Sequence, residues 1–382
     1  MKSKVALVRC DTYTESSVME AMQRGIALLG GMEQFIHPGE QILLKPNVLV
    51  GDEPEKQVGP HPQVFRAAAR LAQAVTPKVT YGDSPGFGKP SGQIRKAGYT
   101  EVAEELGITP ADFDAGRDVS FPDSPFIKRF TLANGVLDAD GLISLCKFKT
   151  HQLARITGAI KNQFGCIPGP LKMEYHIQLP DPLDFAKMLV CLNLYLRPRL
   201  YIMDGITAMQ GNGPRAGDPI PMNVLLFSTD PVALDATVCR MIDLDPLFAP
   251  TAQPGREWGL GTYLAEEIEL VGDPLESFVN KRFNVVRAPV RPVRGSKMAP
   301  FLRNLVSPHP VIDPIRCGQC GTCVNHCPVT PKAVDWVNGD RRLAPAYHYE
   351  RCIRCYCCQE LCPDLAITVN TPFLGKIFEP RG

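Results

Sequence analysis

Two cysteine runs near the end of the chain limit its architecture more than any other feature, because each demands a fixed local wrap of backbone. The first reads Cys317-Gly-Gln-Cys320-Gly-Thr-Cys323-Val-Asn-His-Cys327-Pro328, and the second reads Cys352-Ile-Arg-Cys355-Tyr-Cys357-Cys358-Gln-Glu-Leu-Cys362-Pro363. Both follow the spacing C-x2-C-x2-C-x3-C-P. In that spacing three thiolates of a tight loop grip one [4Fe–4S] cube, and the fourth reaches across to a second cube. Two runs therefore predict two clusters with crossed ligation. Cluster I takes Cys317, Cys320, Cys323 and Cys362, and cluster II takes Cys352, Cys355, Cys358 and Cys327. Zinc favours paired C-x2-C units and explains neither the third cysteine of each run nor the closing prolines. A disulfide framework suits a secreted chain, and no secretory signal opens this one. Cys357 stands outside the pattern, either as a spare thiol or as a rival to Cys358 for third ligand.

This C-terminal stretch, residues 313–382, resembles the bacterial-type ferredoxin with two [4Fe–4S] clusters. The resemblance implies a small α+β domain that carries electrons singly and exchanges them with a donor or acceptor protein. The other five cysteines, Cys10, Cys146, Cys166, Cys191 and Cys239, are scattered singly, as small buried hydrophobes are. Cys166 is open to a second reading, as a reactive thiol.

A chain of 382 residues with 45% hydrophobic content has room for a sizeable core ahead of this module. A net charge of +1 sets up no field that would draw the protein to nucleic acid or to a membrane surface. No uncharged apolar run approaches a membrane span. The expectation is a soluble cytoplasmic protein, suited to an anaerobic interior.

Up to about residue 280, strand and helix patterns alternate. Strands are predicted at 4–10, 41–45, 78–82, 127–133, 141–148, 199–204, 223–228 and 268–271. Helices are predicted at 15–29, 61–75, 153–164, 183–196 and 231–242. The alternation predicts a layered α/β domain with a largely parallel sheet. Residues 207–221 read as a long flexible cover. Residues 281–312 hold seven basic residues, five prolines and no acid, which predicts a semi-rigid linker, either strapped across the first domain or facing an acidic donor.

Ligands of such sheets bind beyond the carboxyl ends of the strands. Lys45, Asn47, Asp83, Ser84, Lys147, Lys149, His151 and Asp204 are predicted to gather there, with Lys161 and Asn162 on the helix that follows and Lys172, His61 and His176 nearby. The lysines and histidines offer donors for carboxylate or phosphate oxygens, so an anionic substrate is expected. Any single lysine also fits a solvated surface. His151, titrating near neutrality, is the candidate general acid. Lys149 and Lys161 are candidates to hold the anion or an enolate. Asp83 and Asp204 could orient these groups or simply cap turns. Asp230-Pro-Val reads as a helix N-cap.

Lys45-Pro-Asn47, Gly82-Asp-Ser-Pro-Gly86, Lys149-Thr-His151, Gly158-Ala-Ile-Lys161-Asn162-Gln-Phe-Gly165, Asp204-Gly-Ile and Ser228-Thr-Asp230-Pro-Val-Ala-Leu-Asp235 resemble the motif series of the DUF362 family over about residues 1–275. The resemblance implies a ferredoxin module beside a domain of unassigned chemistry. Cys146 stands before Lys147 where that family has proline.

No phosphate loop and no dinucleotide glycine motif follow the first strand, which leaves NAD and ATP unsupported. A flavin site needs no single signature; nothing here supports one. The favoured function is an iron–sulfur oxidoreductase acting on an anionic metabolite. Its rivals are an electron-transfer module serving a partner enzyme or a cofactor under assembly, and a non-redox isomerase or lyase with structural clusters.

Overall fold

The computed structural model describes residues 2–290 and 304–373. Its centre is a large sheet whose strands are β1 (Ser3–Arg9), β2 (Ile42–Pro46), β3 (Val79–Tyr81), β4 (Thr109–Pro110), β7 (Gly141–His151), β9 (Leu200–Gln210), β10 (Asp218–Ser228) and β11 (Ile268–Gly272). Their order across the sheet is β11-β1-β10-β9-β7-β2-β3-β4. Strand β10 is antiparallel to both neighbours, and every other adjacent pair is parallel. Two short strands, β5 (Gly116–Ser120) and β6 (Arg129–Ala133), form a separate ribbon, and β8 (Arg155–Ile156) folds back on the end of β7.

The central strands are apolar on both faces because helices cover both. Leu44 turns to one core, with α1 (Glu15–Leu28) and α2 (Pro62–Gln73), while Leu43 turns to another, with α8 (Pro182–Leu196). Residues 158–162 form α6 and Pro231–Met241 form α9, which also pack on that second side. Helix starts follow their capping residues. Thr14 accepts from Ser17 N–H, Asp181 from Leu183 N–H and Asp230 from Ala233 N–H, the last two with proline at the first helical position.

Three of the differences between the sequence expectations and the structure bear on the site. The predicted loop after residue 148 is strand, since β7 continues fully buried to His151. The predicted helix 153–164 is accordingly cut short at its start, where Arg155–Ile156 pairs with Thr150 and His151. The expected flexible cover at 207–221 is an ordered arm of β9 and β10, paired from Thr207↔Pro221 to Gln210↔Asp218. Backbone pairing between two extended segments overrides a glycine- and proline-rich composition.

The predicted linker 281–312 lies partly outside the described residues. Over 281–289 it lies on the α/β region: Phe283 is fully buried and stacks on Phe148, and Arg155 donates to the carbonyls of Ala288 and Pro289. The C-terminal ferredoxin-like region follows, with short antiparallel strands β12 (His309–Ile312) and β15 (Ile367–Asn370), β13 (Val334–Asp335) and β14 (Ala346–Tyr347).

Candidate functional site

The eight cysteines of the paired pattern divide between two cavities. Cys317, Cys320, Cys323 and Cys362 line one of about 300 Å³, and Cys327, Cys352, Cys355 and Cys358 line another of about 330 Å³. Each set takes three cysteines from one run and the last cysteine of the other. Among the described residues no three His, Cys, Asp or Glu are gathered to hold a single metal ion. The thiols stand around spaces, which fits a cube better than a mononuclear zinc. Backbone N–H groups of Ala333 and Ala366 donate to the sulfurs of Cys327 and Cys362, both at 3.3 Å. Cys358, and not Cys357, lines the second cavity.

Cys357 faces a third space. A cleft of about 630 Å³ runs between the α/β region and the helix Cys357–Leu361. From the sheet side its walls include Asn47, Asp83, Ser84, Lys161, Asn162, Lys172 and His176, and the cysteine-bearing helix adds Cys357, Glu360 and Leu361. Leu49, Phe164 and Met173 supply apolar wall.

The lysines behind this cleft are held in a fixed frame. Lys45, fully buried, pairs with Asp83 at 2.8 Å and donates to Asn162 Oδ1 at 3.2 Å. Asn162 Nδ2 is committed to Ser144 Oγ and Leu145 O, so this amide is a strut. Asn47 also donates to Asn162 Oδ1, at 3.1 Å, and accepts from Lys149 Nζ at 2.7 Å. Lys149 lies behind Asn47, and burial, then Lys161, pushes it down to about 7. Gly165 permits this packing: a Cβ there would stand 1.9 Å from Asp83 Oδ1 and 2.8 Å from Lys45 Nζ.

Two predicted binding residues are elsewhere. Lys147 and Asp204 pair with each other at 2.8 Å, both fully buried, within a network that includes Tyr13 OH and Gln57 Oε1. Lys45 and Lys149 likewise contribute no surface to the cleft, so Lys161 and Lys172 are the lysines that line it. His61 caps α2 through Nδ1 and stacks on Tyr13, with ring centroids 4.0 Å apart. Strand residues with inward-turned lysines look in a sequence like loop residues, which is why the expectation placed them at a surface.

His151 is also removed from the role expected of it. Its Nδ1 accepts from Leu153 N–H at 3.0 Å, and its Nε2 faces Glu360 Oε1 at 3.0 Å. Burial, then the charge of Lys161, lowers it to about 4. The ring is therefore neutral at neutral pH and spans the seam between the two regions instead of meeting the cleft. Burial would raise Glu360, but Lys161 and His151 outweigh it and hold the carboxyl at about 2. His176 lines the cleft, stacked on Phe185 at 4.6 Å, and burial lowers it to about 4. Lys172 donates to the carbonyls of Ser84 and Pro85, and burial brings it down to about 7.

Sequence reasoning missed Glu360, Leu361 and the part played by Cys357, because they belong to the cysteine module and meet the cleft only after docking. It also gave no role to Asp235, quoted only as part of a motif, which accepts from Ala159 and Ile160 N–H and so fixes the start of α6, the helix that carries Lys161. The arm of β9 and β10 holds the docking. Gln359 donates to Asn212 O, Asn212 donates to Ile367 O, and Arg215 bridges Asp52 to the carbonyl of Cys362.

Residues 42–240 match the family model described as "Domain of unknown function (DUF362)", and residues 309–363 match "4Fe-4S dicluster domain". Thylakoid-associated protein sll1697 of Synechocystis sp. is 36% identical over 281 residues, 73% of this chain and 87% of that protein. A solved lactate racemase apoprotein from Thermoanaerobacterium thermosaccharolyticum shares 9% identity at a TM-score of 0.41, covering 63% of this chain and 57% of that one, too slight a likeness to carry any inference. No helix among the described residues is long and apolar enough to cross a membrane. By the extent of these matches, the chain belongs to the DUF362 family and ends in a 4Fe-4S dicluster domain.

Proposed function

We propose that this protein is an iron–sulfur oxidoreductase in which two [4Fe–4S] clusters serve a small anionic substrate held in the cleft. The observation that carries the reading is the shared wall: Cys357 lies between two cysteines of the second cavity and itself lines the cleft. The cysteine sets hold cluster I and cluster II as the sequence spacing assigns them, and bound clusters supply electrons one at a time. Cys320 is exposed and Cys317 half-buried, which supports cluster I as the end that meets a redox partner protein. The chemistry fitting the cleft is reduction of a C=C or C=O bond, which takes up two electrons from the partner and two protons. Lys172, close to neutrality in its pKa and on the cleft wall, is better suited than His151 to supply a proton there. Lys161 stabilises the negative charge that develops. The working compartment in this reading is a reducing cytoplasm.

The test is anaerobic. Protein reduced until its cluster absorbance bleaches is mixed with small-molecule extract of the source cells. Recovery that is lost in Lys161→Gln and Lys172→Met supports the enzyme. Recovery only with a protein fraction would overturn it in favour of an electron-transfer module.

A further inference from the structure

The charges around the cleft define its ligand more narrowly than "anion". Asp83 is neutralised by Lys45 at 2.8 Å, which leaves Lys161 and Lys172 facing one carboxylate, Glu360. Lys172 is already committed to two carbonyl oxygens. Lys161 makes no hydrogen bond or ion pair among the described residues, its ammonium standing 5.9 Å over the Phe164 ring. On the same cleft wall, Ser84 Oγ is buried, only 3% of the residue being exposed, and it has no hydrogen-bond partner among the described residues. A buried hydroxyl without a partner is costly unless a ligand or water meets it. Leu49, Phe164, Met173 and Leu361 form the apolar part of the wall, alongside the uncharged polar side chains of Asn47 and Asn162 and the ring of His176.

From this arrangement we infer that the cleft binds a monocarboxylate with an apolar body, its carboxylate on Lys161 and Ser84 and its body against Phe164, Met173 and Leu361. The inference rests on the cleft being the substrate site proposed above. At most one positive charge is in surplus, so a single carboxylate brings the site to balance. A dicarboxylate or a phosphate ester would set a second negative charge against Glu360 in a poorly solvated space. Glu360 offers no ready place for a substrate ammonium either, since one of its oxygens faces His151.

Isothermal titration calorimetry on the anaerobic, cluster-loaded, full-length protein tests this without turnover. The probes are butyrate, benzoate and 3-phenylpropionate, set against succinate, inorganic phosphate and phenylalanine. At least one of the first three should bind more tightly than all of the second three. Lys161→Gln should weaken that binding by about tenfold or more, and Lys161→Arg should retain most of it. The inference is overturned if none of the monocarboxylates binds, if succinate, phosphate or phenylalanine binds best, or if Lys161→Gln binds as well as the wild type. Should Lys161→Gln fail to assemble its clusters, Met173→Glu, which adds a negative charge to a partly exposed wall position, must abolish binding in its place. Binding with no cluster reoxidation would remove the oxidoreductase reading and leave this one standing. Reoxidation by a dicarboxylate or phosphate ester would do the reverse.

Discussion

The two regions of this molecule reach a folded state by different means. The α/β region buries a broad apolar sheet between two helix layers, and its core is dominated by Val, Leu, Ile, Ala, Phe and Met, with single cysteines scattered among them. In the ferredoxin-like region five of the ten buried core residues are cysteines: Cys323, Cys327, Cys352, Cys358 and Cys362. A chain segment this short has little apolar surface to bury, and liganding a metal cluster can stand in for a core. One region would survive loss of its cofactor and the other would not.

Breaking the cluster should therefore have the largest effect and should be confined to one side. Cys352→Ser is expected to lose iron and visible absorbance and to open residues beyond 304 to protease, while sheet circular dichroism persists. Collapse of the sheet in the same step would erase the contrast. The converse test is Asp204→Ala, which leaves Lys147 buried without its partner. It should cost the α/β region about 3–5 kcal/mol in urea unfolding while iron content is unchanged. At the seam, Arg215→Met removes the pair with Asp52 and the bond to Cys362 O. Lys56, 3.3 Å from Asp52, still offsets part of the loss. The expected cost is about 2–3 kcal/mol, seen as faster amide exchange over residues 357–367.

The remaining effect is a slope with pH. His151 and His176 bind protons near pH 4 when folded, against about 6.5 when free. Between those values the unfolded chain binds more protons, so stability falls as pH drops from about 6.5 toward 4. Glu360, held at about 2 against 4.5, extends the fall below that window. Urea midpoints measured at neutral and mildly acid pH should show a shallower slope in the double variant His151→Gln/His176→Gln. An unchanged slope would remove these two histidines from the acid response.

The sheet and the division of the cysteines into two sets of four were legible because both leave periodic marks. Continuous apolar runs such as Ile42–Leu44 mark strands covered on both faces, and the spacing of Cys317 to Cys362 follows the geometry of a cube. The cleft was legible only in part. Asn47, Asp83, Ser84, Lys161, Asn162 and His176 do line it, since strand ends and the helix after β7 converge there. Lys147 and Asp204 have the same composition as a binding pair and turn out to be one another's partner. Only the three-dimensional arrangement separates a lysine that awaits a ligand from one that has already found a carboxylate. Glu360 was out of reach for a different reason: its partner, His151, is 209 positions away in the chain.

The helix Cys357–Leu361 has a consequence for how freely such modules can be exchanged. Three residues separate Cys358 from Cys362, and any three would satisfy the spacing of a bare ferredoxin. Here Gln359 holds the arm at Asn212, Glu360 meets His151, and Leu361 closes the cleft. Each residue of a helix turns the next by about 100°, so one insertion would carry all three off their partners. A foreign ferredoxin grafted onto this chain could assemble its clusters faultlessly and still leave the cleft without a wall. The module is interchangeable as an electron carrier and irreplaceable as architecture.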